Sequence, residues 1–216
     1  MILYKKLNLC SSPIKDNVIG ELMEKKENYN NENDRLKKHL YKHLYANDEI
    51  EKYLSPVLMD QLEKINLKPA ILINFSEYGY TYETWLHRDL TYINNAWIPL
   101  EIGLNWELAP SETTFNWYTQ NVENPNQSPS PEENDFSMLW PRSMINGIRY
   151  YDESQMTQIG SVMFDVNTAY LVRTDLPHKI ISRTPGNFRE CISVRFFYED
   201  IPTWERALEL FEPYFA

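Results

Sequence analysis

Residues 175–198 read DLPHKIISRTPGNFRECISVRFFY, and the fold turns on how this stretch is taken. Two runs rich in β-branched and aromatic residues, 178–183 and 188–198, flank Pro185-Gly186, a dipeptide that suits a tight turn. The spacing predicts two antiparallel strands joined as a hairpin. Centred on Pro185-Gly186, that hairpin sets Ser182 opposite Arg189, Ile180 opposite Cys191 and His178 opposite Ser193. His178, Arg189, Cys191, Ser193 and Arg195 then share one face, with Arg189 roughly 13 Å of strand deeper than His178.

Strand character continues upstream. Segments 69–76, 98–108, 113–119, 159–165 and 169–174 are short, β-branched or aromatic, and separated by turn residues. Ahead of them the periodicity is helical. Ile14, Val18, Ile19, Leu22 and Met23 mark a helix over 14–26, and Leu36, Leu40 and Leu44 mark another over 33–46. Ser55-Pro56 reads as a cap and first-turn proline opening a helix over 56–65. The run 203–215, with Trp204, Ala207, Leu208 and Phe211 apolar, predicts a closing helix that docks on its own chain. Helices in front and seven or so strands behind, with no alternation, argue against a parallel α/β sheet. They favour a mainly β sandwich or barrel with flanking helices. The expected layout is a single domain over 1–216: helical support over 1–67, the β core over 68–198, and a terminal helix over 199–216. The polar, proline-rich stretch 123–135 (ENPNQSPSPEEND) reads as an exposed loop, either a surface insertion or a lid over a barrel mouth.

Composition narrows the function classes. The 216 residues are 43% hydrophobic and 24% charged, ordinary for a soluble globular chain, with a net charge of −10 and no long basic run. That field repels a phosphate backbone and argues against nucleic acid as a partner. Cys10 and Cys191 lie far apart in no CxxC pair, so free thiols and a cytoplasmic setting are expected. No apolar run approaches the ~20 residues of a membrane-spanning helix.

Four histidines can be weighed one by one. His39 and His43 stand four apart in the expected 33–46 helix, but without an HExxH glutamate or an obvious third ligand. His87 opens His87-Arg88-Asp89. Residues i and i+2 of an extended chain point the same way, so an imidazole and a carboxylate can reach one ion. With His178 from a distant strand they make two histidines and one carboxylate, the facial set that suits non-haem Fe(II) and leaves positions open. The stretch 87–94, HRDLTYIN, also matches the catalytic-loop pattern of protein kinases. No glycine-rich phosphate loop, V-A-I-K lysine, DFG or APE accompanies it, and the sheet-like chain beyond residue 94 is wrong for a kinase.

H-x-D, then about ninety residues, then Pro177-His178, then Arg189 in a strand resembles the Fe(II)/2-oxoglutarate-dependent oxygenases. The run Gly103-Leu104-Asn105-Trp106-Glu107-Leu108, followed by Trp117-Tyr118, is similar to strands of short members related to prolyl and aspartyl/asparaginyl hydroxylases. The resemblance covers residues 70–198. It implies a double-stranded β-helix (a jelly-roll or cupin-like barrel), with Fe(II) at His87, Asp89 and His178. It further implies 2-oxoglutarate with its distal carboxylate on Arg189, and O2 as oxidant. Asn105 and Ser193 are candidates for contacts to co-substrate or substrate. Arg195 is either an alternative carboxylate partner or a holder of an acidic substrate. Cys191 departs from the family, which often has a small hydroxyl residue there. A retained Asp89 favours hydroxylation over halogenation. The expected substrate is a peptide side chain, an amino acid or a small metabolite. Two other readings stay open: a metal-free binding or structural protein on the same barrel, and a metal enzyme that does without 2-oxoglutarate.

Overall fold

The computed structural model of the chain describes residues 1–18, 41–46, 50–78, 82–83, 86–93, 96–120, 132–133, 145–150, 153–182, 188–196 and 202–216. In chain order the strands are β1 (Tyr4–Leu7), β2 (Tyr41–Ala46), β3 (Pro69–Tyr78), β4 (Tyr82–Glu83), β5 (His87–Ile93), β6 (Ala96–Pro99) and β7 (Ile102–Glu107). There follow β8 (Thr113–Gln120), β9 (Glu132–Glu133), β10 (Ile145–Tyr150), β11 (Met156–Met163), β12 (Ala169–Arg173), β13 (His178–Ser182) and β14 (Phe188–Phe196). They form two antiparallel sheets, ordered β1-β12-β7-β14-β3-β2 and β11-β8-β13-β5-β10-β9, with β4 on β13 and β6 on β5.

The pairing is nested. β8 pairs β11, β7 pairs β12, β5 pairs β13 and β3 pairs β14, so each partner lies one step farther from the centre of the chain. A long two-stranded ribbon has been wound up, and β7·β14 and β8·β13 seal successive turns. This is a double-stranded β-helix. Winding removes most free strand edges and buries one face of every core strand.

That topology corrects the expected hairpin. β13 and β14 are consecutive but belong to opposite sheets, so Ser182, Ile180 and His178 do not face Arg189, Cys191 and Ser193. β14 instead runs between β3 and β7, for example Cys191↔Phe75 and Cys191↔Glu107. The physical reason is burial. Residues 191–196 are buried without a break, which requires cover on both faces and neighbours on both sides. The Pro185-Gly186 turn itself lies outside the described residues.

A second correction concerns the helical first third. Residues 41–46, expected at the end of a helix, form β2 along β3 from Tyr41↔Ser76 to Ala46↔Ile71. The run YKHLYA is rich in strand formers, and pairing with β3 outweighs its leucine spacing. Of the helix expected over 14–26, the described part holds a 3-10 turn at Asp16–Val18. The rest of both helices, with His39, lies outside the described residues, as does the 123–135 loop apart from β9. Helix Pro56–Glu63 and helix Trp204–Phe211 form where the sequence predicts them. The latter is capped by Thr203, whose side chain accepts from the Arg206 N–H. No helix among the described residues is long and apolar enough to cross a membrane.

Two apolar clusters form among the described residues. Leu72, Leu104, Trp106, Leu171, Ile192 and Val194 turn outward from the first sheet and pack under Leu58, Leu62, Trp204 and Phe211 of the helices. Phe115, Trp117, Phe164, Tyr170 and Val172 meet between the sheets. The alternation along β14 therefore sends Arg189, Cys191, Ser193 and Arg195 into the barrel. Trp106 ties the outer layer to the N-terminal segment, its Nε1–H donating to the Cys10 carbonyl at 3.0 Å. Trp106→Ala is expected to lower unfolding free energy by about 3–5 kcal/mol in urea denaturation. Val57→Ala, at an exposed helix position, should change it by less than about 0.5 kcal/mol.

Candidate metal centre

His178 opens β13 directly opposite His87 on β5 and next to Trp117 on β8. Residues directly opposite in an antiparallel pair point the same way, so both imidazoles enter the barrel, with ring centroids 4.5 Å apart. Asp89 follows His87 by two and shares its face. Its backbone is fixed from two sides: its N–H donates to the Thr174 carbonyl, and its own carbonyl accepts from the Leu100 N–H. One ligand atom from each of His87, Asp89 and His178 lies within 4.8 Å of the other two. Facial ligands about 2.1 Å from one ion stand about 3.0 Å apart, so the three atoms close onto a single ion after movements of up to about 1 Å.

Protonation suits the role. His178 Nδ1 lies 2.9 Å from the Leu176 carbonyl. A carbonyl only accepts, so Nδ1 carries the proton and the Nε2 lone pair is left for an ion. Burial above all, with His87 and Arg195 adding to it, pushes His178 down to about 3 against the opposing pull of Asp89 and the Leu176 carbonyl. The ring is therefore neutral at physiological pH, the form that ligates metal. Phe115 stacks on it at 4.8 Å and shields that side from water. His87 Nε2 stands 3.7 Å from Asp89 Oδ1. The kinase-like run HRDLTYIN is a strand inside this sheet over 87–93.

The remaining candidates lie on the facing sheet in two groups. Arg195 Nη2 donates to Asp89 Oδ2 at 3.0 Å, and Nη1 lies 3.4 Å from Asn105 Oδ1. The same Asn105 oxygen accepts from Ser193 Oγ at 2.6 Å. Arg195, Asn105 and Ser193 thus join the ligand set through Asp89. Arg189 forms a separate buried pair: its Nε donates to both Glu107 oxygens, at 3.0 and 3.2 Å. Ser111 Oγ donates to the same carboxylate at 2.6 Å. Tyr118 is on the opposite face of β8 from Trp117, beside the Lys179 ammonium. His43 is in β2, away from the cluster. Two residues gain a place that the sequence reading did not give them. Glu107 partners Arg189, a position signalled by a carboxylate two residues after Asn105 in an otherwise apolar strand. Gly103 lies against Arg195.

No protein-family model matches the chain, and no curated protein matches it in sequence. Among solved structures it is similar to HygX from Streptomyces hygroscopicus with nickel and 2-oxoglutarate bound. Identity there is 10%, the TM-score is 0.36, and the match covers 82% of this chain and 78% of that one. HygX with nickel, 2-oxoglutarate and hygromycin B gives 11% identity and a TM-score of 0.34, over 83% and 80% of the two chains. Vicilin from Solanum melongena gives 8% and 0.32, covering 73% of this chain, which spans 28% of that one. At these identities and scores the likeness adds nothing to the strand order described above.

The buried Arg189–Glu107 pair has a stability consequence. Glu107→Ala removes the carboxylate to which Arg189 Nε donates and is expected to cost about 3–5 kcal/mol in chemical denaturation. Glu107→Ala/Arg189→Met, which removes both charges, should recover most of that loss.

Proposed function

We propose that the chain is an Fe(II)- and 2-oxoglutarate-dependent oxygenase of the hydroxylase type. Its substrate would be a peptide side chain, a free amino acid or a small metabolite. The observation that carries this is the convergence of His87, Asp89 and His178 inside the barrel, with His178 Nδ1 turned to the Leu176 carbonyl. Two imidazoles and one carboxylate are the donor set that holds Fe(II) while leaving positions for further ligands. When bound, iron with 2-oxoglutarate and O2 supplies the oxidising chemistry.

The chain's own contribution is positional. His87 and His178 offer nitrogens from adjacent strands, and Asp89 supplies negative charge against the metal. Arg195 holds one oxygen of that carboxylate. Phe115 and Trp117 keep the inner wall apolar, which strengthens every electrostatic contact nearby. Arg189 is the candidate anchor for the distal carboxylate of 2-oxoglutarate, since it stands on the inward face of β14 and is buried. Arg195, on that face and beside Asp89, is the alternative.

The Arg189–Glu107 pair favours a second reading. A carboxylate already bonded to Arg189 Nε offsets the charge that would attract a dicarboxylate, as expected of a metal enzyme that does without 2-oxoglutarate. One experiment separates the two. Apo protein is titrated anaerobically with Fe(II) and then 2-oxoglutarate, and the visible metal-to-ligand charge-transfer band is followed. The oxygenase reading expects a band, its loss in His178→Ala, and at least a tenfold higher half-saturating 2-oxoglutarate in Arg189→Ala. Tight Fe(II) binding without a band selects the second reading. A chain that takes up no Fe(II) would sink both and leave a metal-free barrel.

A further inference from the structure

We propose that Gly103 is a slot built for the Arg195 guanidinium, through which Arg195 keeps Asp89 a one-oxygen ligand. This rests on the metal reading above and concerns how the carboxylate is held. Arg195 begins on β14, one residue beyond the Val194↔Leu104 pair with β7, and is buried to 7% exposure. To reach Asp89 on the opposite sheet, its side chain must cross the face of β7. It does so over Gly103. A Cβ at position 103 would lie 1.6 Å from Arg195 Nη1, 2.5 Å from Cζ and 3.3 Å from Nε. No side chain other than hydrogen fits beneath the guanidinium.

A glycine inside a strand gives up packing and adds chain entropy, so its place here needs a reason. The backbone supplies none, because Gly103 does not adopt the left-handed conformation that favours glycine. The close approach of Arg195 supplies it. Asn105, two residues along on the same face, fixes Nη1 from the side, and Nη2 then meets Asp89 Oδ2 at 3.0 Å. A free carboxylate can bind an ion through both oxygens. With Oδ2 engaged by a buried cation, Oδ1 on the His87 side remains for the metal, and one coordination position stays open. Gly103 and Arg195 are positioning residues in this account, acting on the metal through Asp89.

The chemistry isolates the effect from folding. The atoms that a methyl group at 103 would strike are the far end of a flexible side chain, so Gly103→Ala should displace the guanidinium and leave the strand intact. The test is a titration of the full-length apo chain with Co(II), followed by visible d–d absorption, alongside apo thermal midpoints. Arg195→Ala and Gly103→Ala should each weaken Co(II) binding about 10–100-fold and give the same altered spectrum. Gly103→Ala/Arg195→Ala should bind no more weakly than Arg195→Ala, since both changes remove one interaction. The apo midpoint of Gly103→Ala should fall no further than that of Arg195→Ala, since both break the same ion pair. Wild-type affinity in Gly103→Ala, additive losses in the double variant, tighter binding in Arg195→Ala, or a Gly103→Ala chain that does not fold would each overturn the slot. A wild-type chain without Co(II) uptake overturns the metal centre itself.

Discussion

His87 and His178 meet because β5 and β13 are partners in a ribbon wound on itself, and nearly everything about the site descends from that register. Among the described residues the two strands share this one paired position. It holds because the flanking pairings hold: β13 is locked along β8 through five residues, and β5 along β10 through six. Slipping β13 by one residue would turn His178 out of the barrel, and slipping β5 would turn out His87 and Asp89 together. Winding also sets the environment. Between two sheets the dielectric is low, so His178 stays neutral and the ionised groups around it must each find a counter-charge.

Those counter-charges are arranged along β14. Its inward face carries Arg189 and Arg195, and each meets a carboxylate from a different strand: Glu107 of β7 and Asp89 of β5. The first pair is buried and the second part-buried, so both are costly to break and neither is an inexpensive source of stability. They differ in what the carboxylate is joined to. Glu107 accepts from Arg189 and from Ser111. Asp89 stands beside two histidines, so in the proposed metal centre the orientation that Arg195 imposes would pass to the ligands. A charge pair in the first position steadies the barrel, and one in the second shapes the centre.

Much of this was legible before any coordinates. The β character of residues 68–198, the helices at 56–65 and 203–215, and the inward alternation of Arg189, Cys191, Ser193 and Arg195 follow from local preference and a period of two. His87 and Asp89 point together for the same reason. The helix expected through 41–46 failed because an edge of β3 was available, and a strand-forming segment takes the hydrogen bonds that edge offers.

What sequence could not decide was partnership. The hairpin centred on Pro185-Gly186 was a reasonable local choice, yet β13 and β14 separate into different sheets. β14 finds its bonds instead with β3 and β7, far away along the chain. Periodicity states which face a side chain takes, because that depends only on its immediate neighbours. Which strand lies opposite is set by burial of the whole ribbon, and so are the choice of Glu107 for Arg189, of Asp89 for Arg195, and the need for glycine at 103. Those depend on atoms brought within ångströms by closure of the barrel, which no local pattern encodes.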